Sequence, residues 1–294
     1  MGIQGLKIIG ETINDSIPKT GRLFEKGDLN GILELAKFQE SMGADYLDLN
    51  IGQREPELMA DLVKLLQKNI SIPLSMDSPD IEIVRAGLEA YDLTKAKGKI
   101  PILNSISETR MEMFDLWAIR PFKVILIASE RKEGSRAKKN EMGEDVLETA
   151  KRLVVKAKSA PHHMINDDLI IDPGIAPIGA DVDGTAKMAL DAIRWICQDP
   201  NMKGIHFSVG LSNFSAMLPS KRSDGLPVRM AMENAFLTLA LPLGLDYIIG
   251  NVTKDYKLLD EEDPAYIAVK EAMDLGGMES IMRIREFYQI DWNE

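Results

Sequence analysis

The strongest constraint on the fold is a series of short apolar runs that recurs along the whole chain. The runs do not alternate with polar residues, which is typical of strands that are buried on both faces and belong to a parallel sheet. We therefore predict eight parallel strands, at residues 6–9, 46–49, 72–76, 100–103, 124–128, 169–171, 205–209 and 247–249.

Helix-length segments with apolar residues every three or four positions separate most of these runs. The segment 28–42, for example, has Leu29, Ile32, Leu33 and Ala36 on one side and ends at Gly43. The other predicted helices are 55–68, 80–91, 141–159, 183–197 and 227–243, followed by 264–275 and 280–288.

Strands that alternate with helices fold either as a closed (β/α)8 TIM barrel or as a doubly wound open sheet. The glycine fingerprint of the open dinucleotide-binding sheet is missing after the first strand, where residues 10–14 read Gly-Glu-Thr-Ile-Asn. The 294 residues also suit one barrel, which typically needs ~250. We predict an α/β fold with one barrel domain over residues 1–294 and a helical extension at about 254–294.

Composition excludes several classes of protein. With 46 acidic and 35 basic residues the net charge is −11, which argues against a nucleic-acid binder. A single cysteine excludes a disulfide framework and fits a reducing compartment. Because we recognise neither a signal peptide nor an apolar run near the ~20 residues of a membrane span, we expect a cytoplasmic protein.

Polar side chains follow nearly every predicted strand. They include Glu11, Asp48, Asn50, Asp77, Asn104, Ser129, Asp172, Ser212, Asn213 and Asn251. Each one alone can be a helix N-cap, because Asp, Asn and Ser accept hydrogen bonds from first-turn amides. In a barrel, however, the carboxyl ends of the strands form the active site. Together these residues predict a ring of donors and acceptors that suits a flat heterocycle and offers little positive charge for phosphate.

Six short motifs in order along the chain carry a family resemblance. They are Gly10-Glu11-Thr12-Ile13-Asn14, Asp48-Leu49-Asn50-Ile51-Gly52, Met76-Asp77-Ser78, Asn104-Ser105, Ile171-Asp172-Pro173 and Gly210-Leu211-Ser212-Asn213. Together they resemble the pterin-binding barrel family, which includes dihydropteroate synthase and the methyltetrahydrofolate methyltransferases. The resemblance covers roughly residues 8–251 and is closest to the methyltetrahydrofolate:corrinoid protein methyltransferase branch.

The resemblance implies a methyltransferase that moves a methyl group between N5 of 5-methyltetrahydrofolate and cobalt. Asn213 matches the catalytic position that reaches N5, and its amide can both donate and accept a hydrogen bond. Asp77, Asn104 and Asp172 match residues that bind the pterin ring. Glu11, Asn50 and Ser212 are further candidates for pterin contact, and Asp48 is either a contact or a buried supporting carboxylate.

The resemblance also implies partners. The cobalt belongs to a cobalamin (corrinoid) cofactor, and this chain has no Asp-x-His-x-x-Gly motif to bind one, so we expect a separate corrinoid protein to carry it. Relatives are commonly homodimers. We expect no metal site in the chain itself, since the adjacent His162 and His163 point apart.

Two alternatives and the direction of methyl transfer stay open. Dihydropteroate synthase chemistry needs cationic donors for pyrophosphate. A member of that branch would resemble the family by an Arg-x-His motif after the last strand, and this motif is missing here, which argues against the synthase. A non-catalytic pterin-binding subunit would keep Asp77, Asn104 and Asp172 but would not need Asn213.

Three other features have structural interpretations. We expect Cys197 to lie in the core and the basic run 131–139 to be a solvated loop, with docking of an acidic corrinoid protein as the alternative. Lys221, Arg222 and Arg229 either meet the glutamate tail of the folate or lie in a solvated loop.

Overall fold

A computed structural model describes residues 2–289, and within them eight parallel strands close into a barrel. The strand order around the barrel is β1-β2-β3-β4-β5-β8-β9-β10 and back to β1. The barrel strands are β1 (Lys7–Asn14), β2 (Tyr46–Asn50), β3 (Leu74–Asp77), β4 (Ile102–Ile106), β5 (Lys123–Ile127), β8 (Leu169–Asp172), β9 (His206–Gly210) and β10 (Tyr247–Gly250). The (β/α)8 barrel predicted from the apolar runs is confirmed.

The helices cover the outside of the barrel. They are α1 (Pro18–Glu25), α2 (Leu29–Ser41), α3 (Pro56–Asn69), α4 (Ile81–Ala90), α5 (Gly143–Lys158), α6 (Thr185–Gln198), α7 (Leu211–Phe214), α8 (Arg229–Ala240), α9 (Pro264–Leu275) and α10 (Gly277–Tyr288). After β4 the chain forms a 3-10 helix, Met111–Ala118. The last five residues of the predicted extension 254–294 lie outside the described residues.

The strand β1 is longer than its apolar run and is bulged between Gly10 and Ile13. The side chain of Gln39 from α2 fills the bulge, and its Oε1 accepts a hydrogen bond from the Thr12 amide at 3.2 Å. A Cβ atom on Gly10 would lie 2.5 Å from that same oxygen. The bulge carries the strand on to Asn14 and therefore places Glu11 on a strand.

The barrel interior has an apolar layer with polar residues above it. Alternate residues of a strand face the same side, and one buried cluster collects such residues from six strands: Ile9, Tyr46, Ile102, Ile125, Ile170 and Tyr247. Two positions further along four of these strands stand Glu11, Asp48, Asn104 and Asp172. The apolar layer therefore forms the floor beneath the polar carboxyl ends of the strands.

The amino-terminal end of the barrel holds a separate charged cluster. His206, the first residue of β9, contacts Asp246 through Nδ1 at 2.5 Å and Asp167 through Nε2 at 3.2 Å. Lys123 donates to Asp167 at 2.7 Å. These residues lie at the opposite end of the strands from Asp77 and Asp172, at the end that supports stability in this fold.

Two structural expectations are wrong. The basic run 131–139 is not an open loop but lies in an antiparallel hairpin, β6 (Glu130–Glu133) and β7 (Arg136–Lys139), that turns at Gly134 with φ +63°. Glu108, which is 8% exposed, fixes this hairpin by accepting the Lys132 amide at 2.7 Å. Cys197 is exposed rather than in the core: it lies near the end of α6, where its thiol donates to the Leu243 carbonyl at 3.1 Å.

Among the residues that the structure describes, no helix is both long enough and apolar enough to cross a membrane.

Candidate active site

The predicted polar side chains lie at the carboxyl ends of the barrel strands. Asp77 on β3 pairs in register with Asn104 on β4, and Asp172 on β8 pairs with Ile127 on β5. Asn104 and Asp172 each point the same way as an isoleucine of the barrel interior two positions before, and Asp77 points the same way as the buried Ser75. The strand pleat therefore directs all three to the mouth of the barrel.

Asp48 lies beneath this group as a buried carboxylic acid. Asp48 is only 3% exposed. Its Oδ1 accepts hydrogen bonds from the Ser75 hydroxyl at 2.6 Å and from Asn104 Nδ2 at 3.2 Å. Burial, and then the nearby charge of Asp77, raise the pKa of Asp48 well above its usual range. The raised pKa favours the protonated form of Asp48, which can donate its proton to the hydrogen bond with Asp77.

Asp77, the other member of this pair, lies among groups that favour its ionised form. Burial raises its pKa, but the hydrogen bonds from Asn50 and Asp48 and the positive charge of Arg110 all lower it. Because the two carboxyl groups interact directly, their titrations are linked, and a protonated Asp48 favours an ionised Asp77.

Asn50 has both ends of its amide engaged within the protein. Its Nδ2 donates to Asp77 at 2.9 Å, and its Oδ1 accepts the Gly52 amide at 2.9 Å. In this geometry Asn50 orients Asp77, and its expected contact with the pterin stays a prediction.

Asn104, in contrast, has only the nitrogen end of its side-chain amide bound within the protein. Its Nδ2 donates to Asp48, and within residues 2–289 its Oδ1 has no hydrogen-bond partner. The residue is 7% exposed, so this carbonyl oxygen is an acceptor in a largely dry place. A ligand N–H is the group that it can bind.

Asp172 offers a second acceptor. One oxygen accepts the Gly174 amide at 2.7 Å in a turn where Gly174 has φ +76°, which favours glycine. Burial raises the pKa of Asp172 to about 6, and that single backbone hydrogen bond lowers it only in part. The other oxygen is available to a ligand.

Asn213 lies on the four-residue helix α7, directly after β9. It is exposed, and its side-chain amide has no hydrogen-bond partner in the described part of the chain. A Cβ atom on Gly210 would lie 2.8 Å from Asn213 Nδ2, so the amide lies directly over the backbone of Gly210.

Ser212 and Glu11 bind each other across the rim. The Ser212 hydroxyl donates to Glu11 Oε1 at 2.6 Å. Burial raises the pKa of Glu11, while Ser212 and Lys254 lower it. This bond joins β1 to α7 and places both residues next to Asn213.

Three further residues at this end were not found by sequence reasoning. Arg110, four residues after β4, lies near Asp77 and places Nη2 3.3 Å from Ser105 Oγ. Glu233 on α8 and Lys254 after β10 form an ion pair at 2.6 Å. Lys254 could have been noticed from its place after a strand, but neither Arg110 nor Glu233 belongs to a motif.

A cavity of about 610 Å³ opens beside Asn50 and Asp77 and runs along the loops after β2 and β3. This volume is within the range of small-molecule sites. Arg54 lines it and binds Asp15 at 2.6 Å, so its charge is already paired.

Two of the basic residues considered for the folate tail are engaged elsewhere. Arg222 pairs with Asp224 at 3.0 Å and stacks over Phe287, and Arg229 donates to the Leu218 carbonyl at 2.9 Å. Lys221 is exposed. No group of three or more His, Cys, Asp or Glu side chains suited to a metal ion occurs between residues 2 and 289.

Comparisons with known proteins agree with this geometry. A family profile described as "Pterin binding enzyme" matches residues 13–251. The chain is 28% identical over 257 residues to a methylcorrinoid:tetrahydrofolate methyltransferase of Eubacterium limosum, covering 84% of this chain and 85% of that protein.

Solved structures share the fold. Dihydropteroate synthase from Xanthomonas albilineans in complex with 7,8-dihydropteroate is similar with a TM-score of 0.54 at 17% identity, covering 85% of this chain and 88% of that one. Dihydropteroate synthase from Stenotrophomonas maltophilia with imidazole in its active site gives a TM-score of 0.55 at 15% identity, covering 83% and 86%.

The raised pKa of Asp48 predicts how its substitutions behave. At pH 4.5, where the unfolded chain is also largely protonated at this position, Asp48→Asn keeps a neutral group that accepts from Ser75 and Asn104 and donates to Asp77, so the free energy of unfolding should change by less than about 1 kcal/mol. Asp48→Leu leaves those buried donors unpaired, at a cost of about 1–3 kcal/mol each. Chemical denaturation followed by circular dichroism measures both.

The same substitution has a pH signature. A carboxyl whose pKa is raised on folding binds its proton more tightly in the native state, so its contribution to stability falls as pH rises above ~4, its unfolded pKa. The stability of Asp48→Asn relative to wild type should therefore improve between pH 4.5 and pH 8. A flat difference, with Asp48→Asn as damaging as Asp48→Leu, would show that Asp48 is ionised.

Proposed function

We propose, from the premise that the chain belongs to the family of pterin-binding enzymes, that it moves a methyl group between N5 of 5-methyltetrahydrofolate and the cobalt of a partner's corrinoid. The observation that carries the proposal is the exposed, unengaged amide of Asn213 on the same rim as the acceptors of Asp77, Asn104 and Asp172. The similarity to the methylcorrinoid:tetrahydrofolate methyltransferase supports it.

The acceptors suit the edge of a pterin. That edge presents an amino group and ring N–H groups, and a carboxylate can accept two such hydrogen bonds. Asp77 is kept as an acceptor by the protonated Asp48 beneath it and by Asn50 beside it. Asn104 adds a carbonyl oxygen whose direction is fixed by its bond to Asp48.

The reacting nitrogen needs a different kind of group. A tertiary amine is a poor leaving group, so N5 must be protonated or strongly hydrogen-bonded while the C–N bond breaks. The Asn213 amide accepts from N5–H through its oxygen and donates to the N5 lone pair through its nitrogen. The corrinoid, when bound, supplies the cobalt that accepts or delivers the methyl group.

The corrinoid is proposed to arrive on a separate protein, because the sequence holds no Asp-x-His-x-x-Gly motif. The name of the Eubacterium limosum relative describes transfer from methylcorrinoid to tetrahydrofolate. We take this as the favoured direction, and a site that stabilises one transition state serves both directions.

A spectroscopic assay tests the function. Methylcobalamin with tetrahydrofolate, and free cob(I)alamin with 5-methyltetrahydrofolate, should each show protein-dependent conversion between the two corrinoid spectra. Tight folate binding with no conversion in either direction would instead favour a non-catalytic pterin-binding subunit.

Asn213→Ala separates chemistry from binding. It removes a group that contacts N5 mainly as charge develops there, so turnover should fall about 100-fold, as when an oxyanion-hole donor is lost. The dissociation constant for 5-methyltetrahydrofolate, measured by calorimetry, should change much less. Asn30→Ala, an exposed asparagine in α2, is the matched control. A large loss of affinity with unchanged turnover would contradict the role of Asn213.

Asp172 predicts a pH dependence of folate binding. With its pKa raised to about 6, the free protein holds an ionised acceptor at pH 7.5 and a protonated one at pH 5. Asp172→Asn should weaken tetrahydrofolate binding roughly 10- to 100-fold at pH 7.5, the worth of a hydrogen bond to a charged group. Titration of the ligand affects both proteins equally, so it cancels in the ratio of the Asp172→Asn dissociation constant to the wild-type dissociation constant. This ratio should shrink toward pH 5, where Asp172 is protonated. A ratio that does not change with pH would exclude this role.

A further inference from the structure

The two serines that flank Asn213 are each bound by a carboxylate from a different part of the barrel. Ser212, one residue before it, donates to Glu11 on β1 at 2.6 Å, and Ser215, two residues after it, donates to Glu233 on α8. A helix of four residues is too short to be stable by itself. Its position therefore depends on such tertiary contacts.

Glu233 is the more unusual of the two carboxylates, because its side chain is fully buried. A buried carboxylate is costly unless it is paired and hydrogen-bonded. Lys254 meets both requirements by donating to the two oxygens at 2.6 and 2.7 Å, while its own side chain remains 24% exposed. Ser215 supplies a further hydrogen bond to the same group.

Glu233 is also held firmly along the chain. The next residue on α8, Asn234, accepts the Lys257 amide at 3.2 Å, and Thr238, one turn further, accepts the Leu259 amide at 2.9 Å. Three polar contacts thus fasten α8 to the segment after β10. The carboxylate that binds Ser215 is fixed to two elements of the barrel wall.

We propose that Glu233, charge-balanced by Lys254, is a positioning residue that acts through Ser215 to hold α7 and so fixes the Asn213 amide where the methyl transfer needs it. The inference rests on the proposed function. Misplacement of a reacting group by about 1 Å can cost about 100-fold in rate, and the Asn213 side chain has no hydrogen bond within the described residues. Its placement depends on Gly210 beneath it and on the two serines beside it.

Ser215→Ala is the least disruptive test, since it removes one hydroxyl and leaves the Glu233–Lys254 pair intact. Turnover with free cobalamin at saturating folate should fall at least about tenfold, while the dissociation constant for 5-methyltetrahydrofolate stays within about twofold. Ser208→Ala is the matched control, because the Ser208 hydroxyl on β9 is equally buried and has no hydrogen-bond partner among residues 2–289. Glu233→Gln, which keeps an oxygen for Ser215, should retain more turnover than Glu233→Ala.

A double-mutant cycle shows whether the effect passes through Asn213. In the Asn213→Ala background, adding Ser215→Ala should change turnover by less than about twofold, because the group it positions is already missing. Additive losses, a loss of folate affinity in place of turnover, or an equal loss in Ser208→Ala would each overturn the proposal.

Amide hydrogen exchange gives a readout that does not need turnover. Exchange over residues 211–216 should be faster in Ser215→Ala than in wild type and unchanged in Ser208→Ala. If the wild-type protein transfers no methyl group, the proposed function is overturned. The exchange measurement then still tests whether the hydrogen bond from Ser215 to Glu233 holds α7. Unchanged exchange in Ser215→Ala overturns the positioning role.

Discussion

The site depends on one geometric constraint, the closure of a parallel sheet around a dry interior. Closure directs alternate side chains of every strand toward one axis and brings all the carboxyl ends to one rim. The apolar layer that includes Ile102, Ile125 and Ile170 keeps water from beneath that rim. Burial is accordingly the first cause of the raised pKa values of Glu11, Asp48, Asp77 and Asp172.

The residues singled out by family resemblance divide into two groups once their hydrogen bonds are known. Asn50, Ser212 and Glu11 have polar atoms bound to other residues of the rim. Asn104, Asp172 and Asn213 each keep an atom that can meet a ligand. Motifs mark both groups alike, because a residue that orients an acceptor is as constrained in type as the acceptor itself. The hydrogen bonds add what the motifs lack, namely which polar atoms are already engaged within the protein.

The barrel could be predicted from the sequence because strands buried on both faces leave continuous apolar runs. The extension of β1 through Glu11 and Thr12 could not, since it follows a bulge that Gln39 fills from a distant helix.

The hairpin after β5 is built from charged residues and is held by Glu108, so it has no apolar alternation to indicate strands. Cys197 follows the buried Ile196 on α6 but is itself exposed, and its thiol binds the Leu243 carbonyl at the end of a distant helix. Glu233 belongs to no motif, and its partners Ser215 and Lys254 are about twenty residues away on either side.

The shared proton of Asp48 and Asp77 has a consequence for the electrostatic potential at the mouth. Counting both residues as ionised assigns two negative charges to this part of the rim, whereas the raised pKa of Asp48 favours a pair that keeps one proton. Arg110 offsets part of that remaining charge. A formal charge of −11 for the whole chain thus overstates the local repulsion that an anionic molecule, such as one with a glutamate tail or a phosphate, meets on approach.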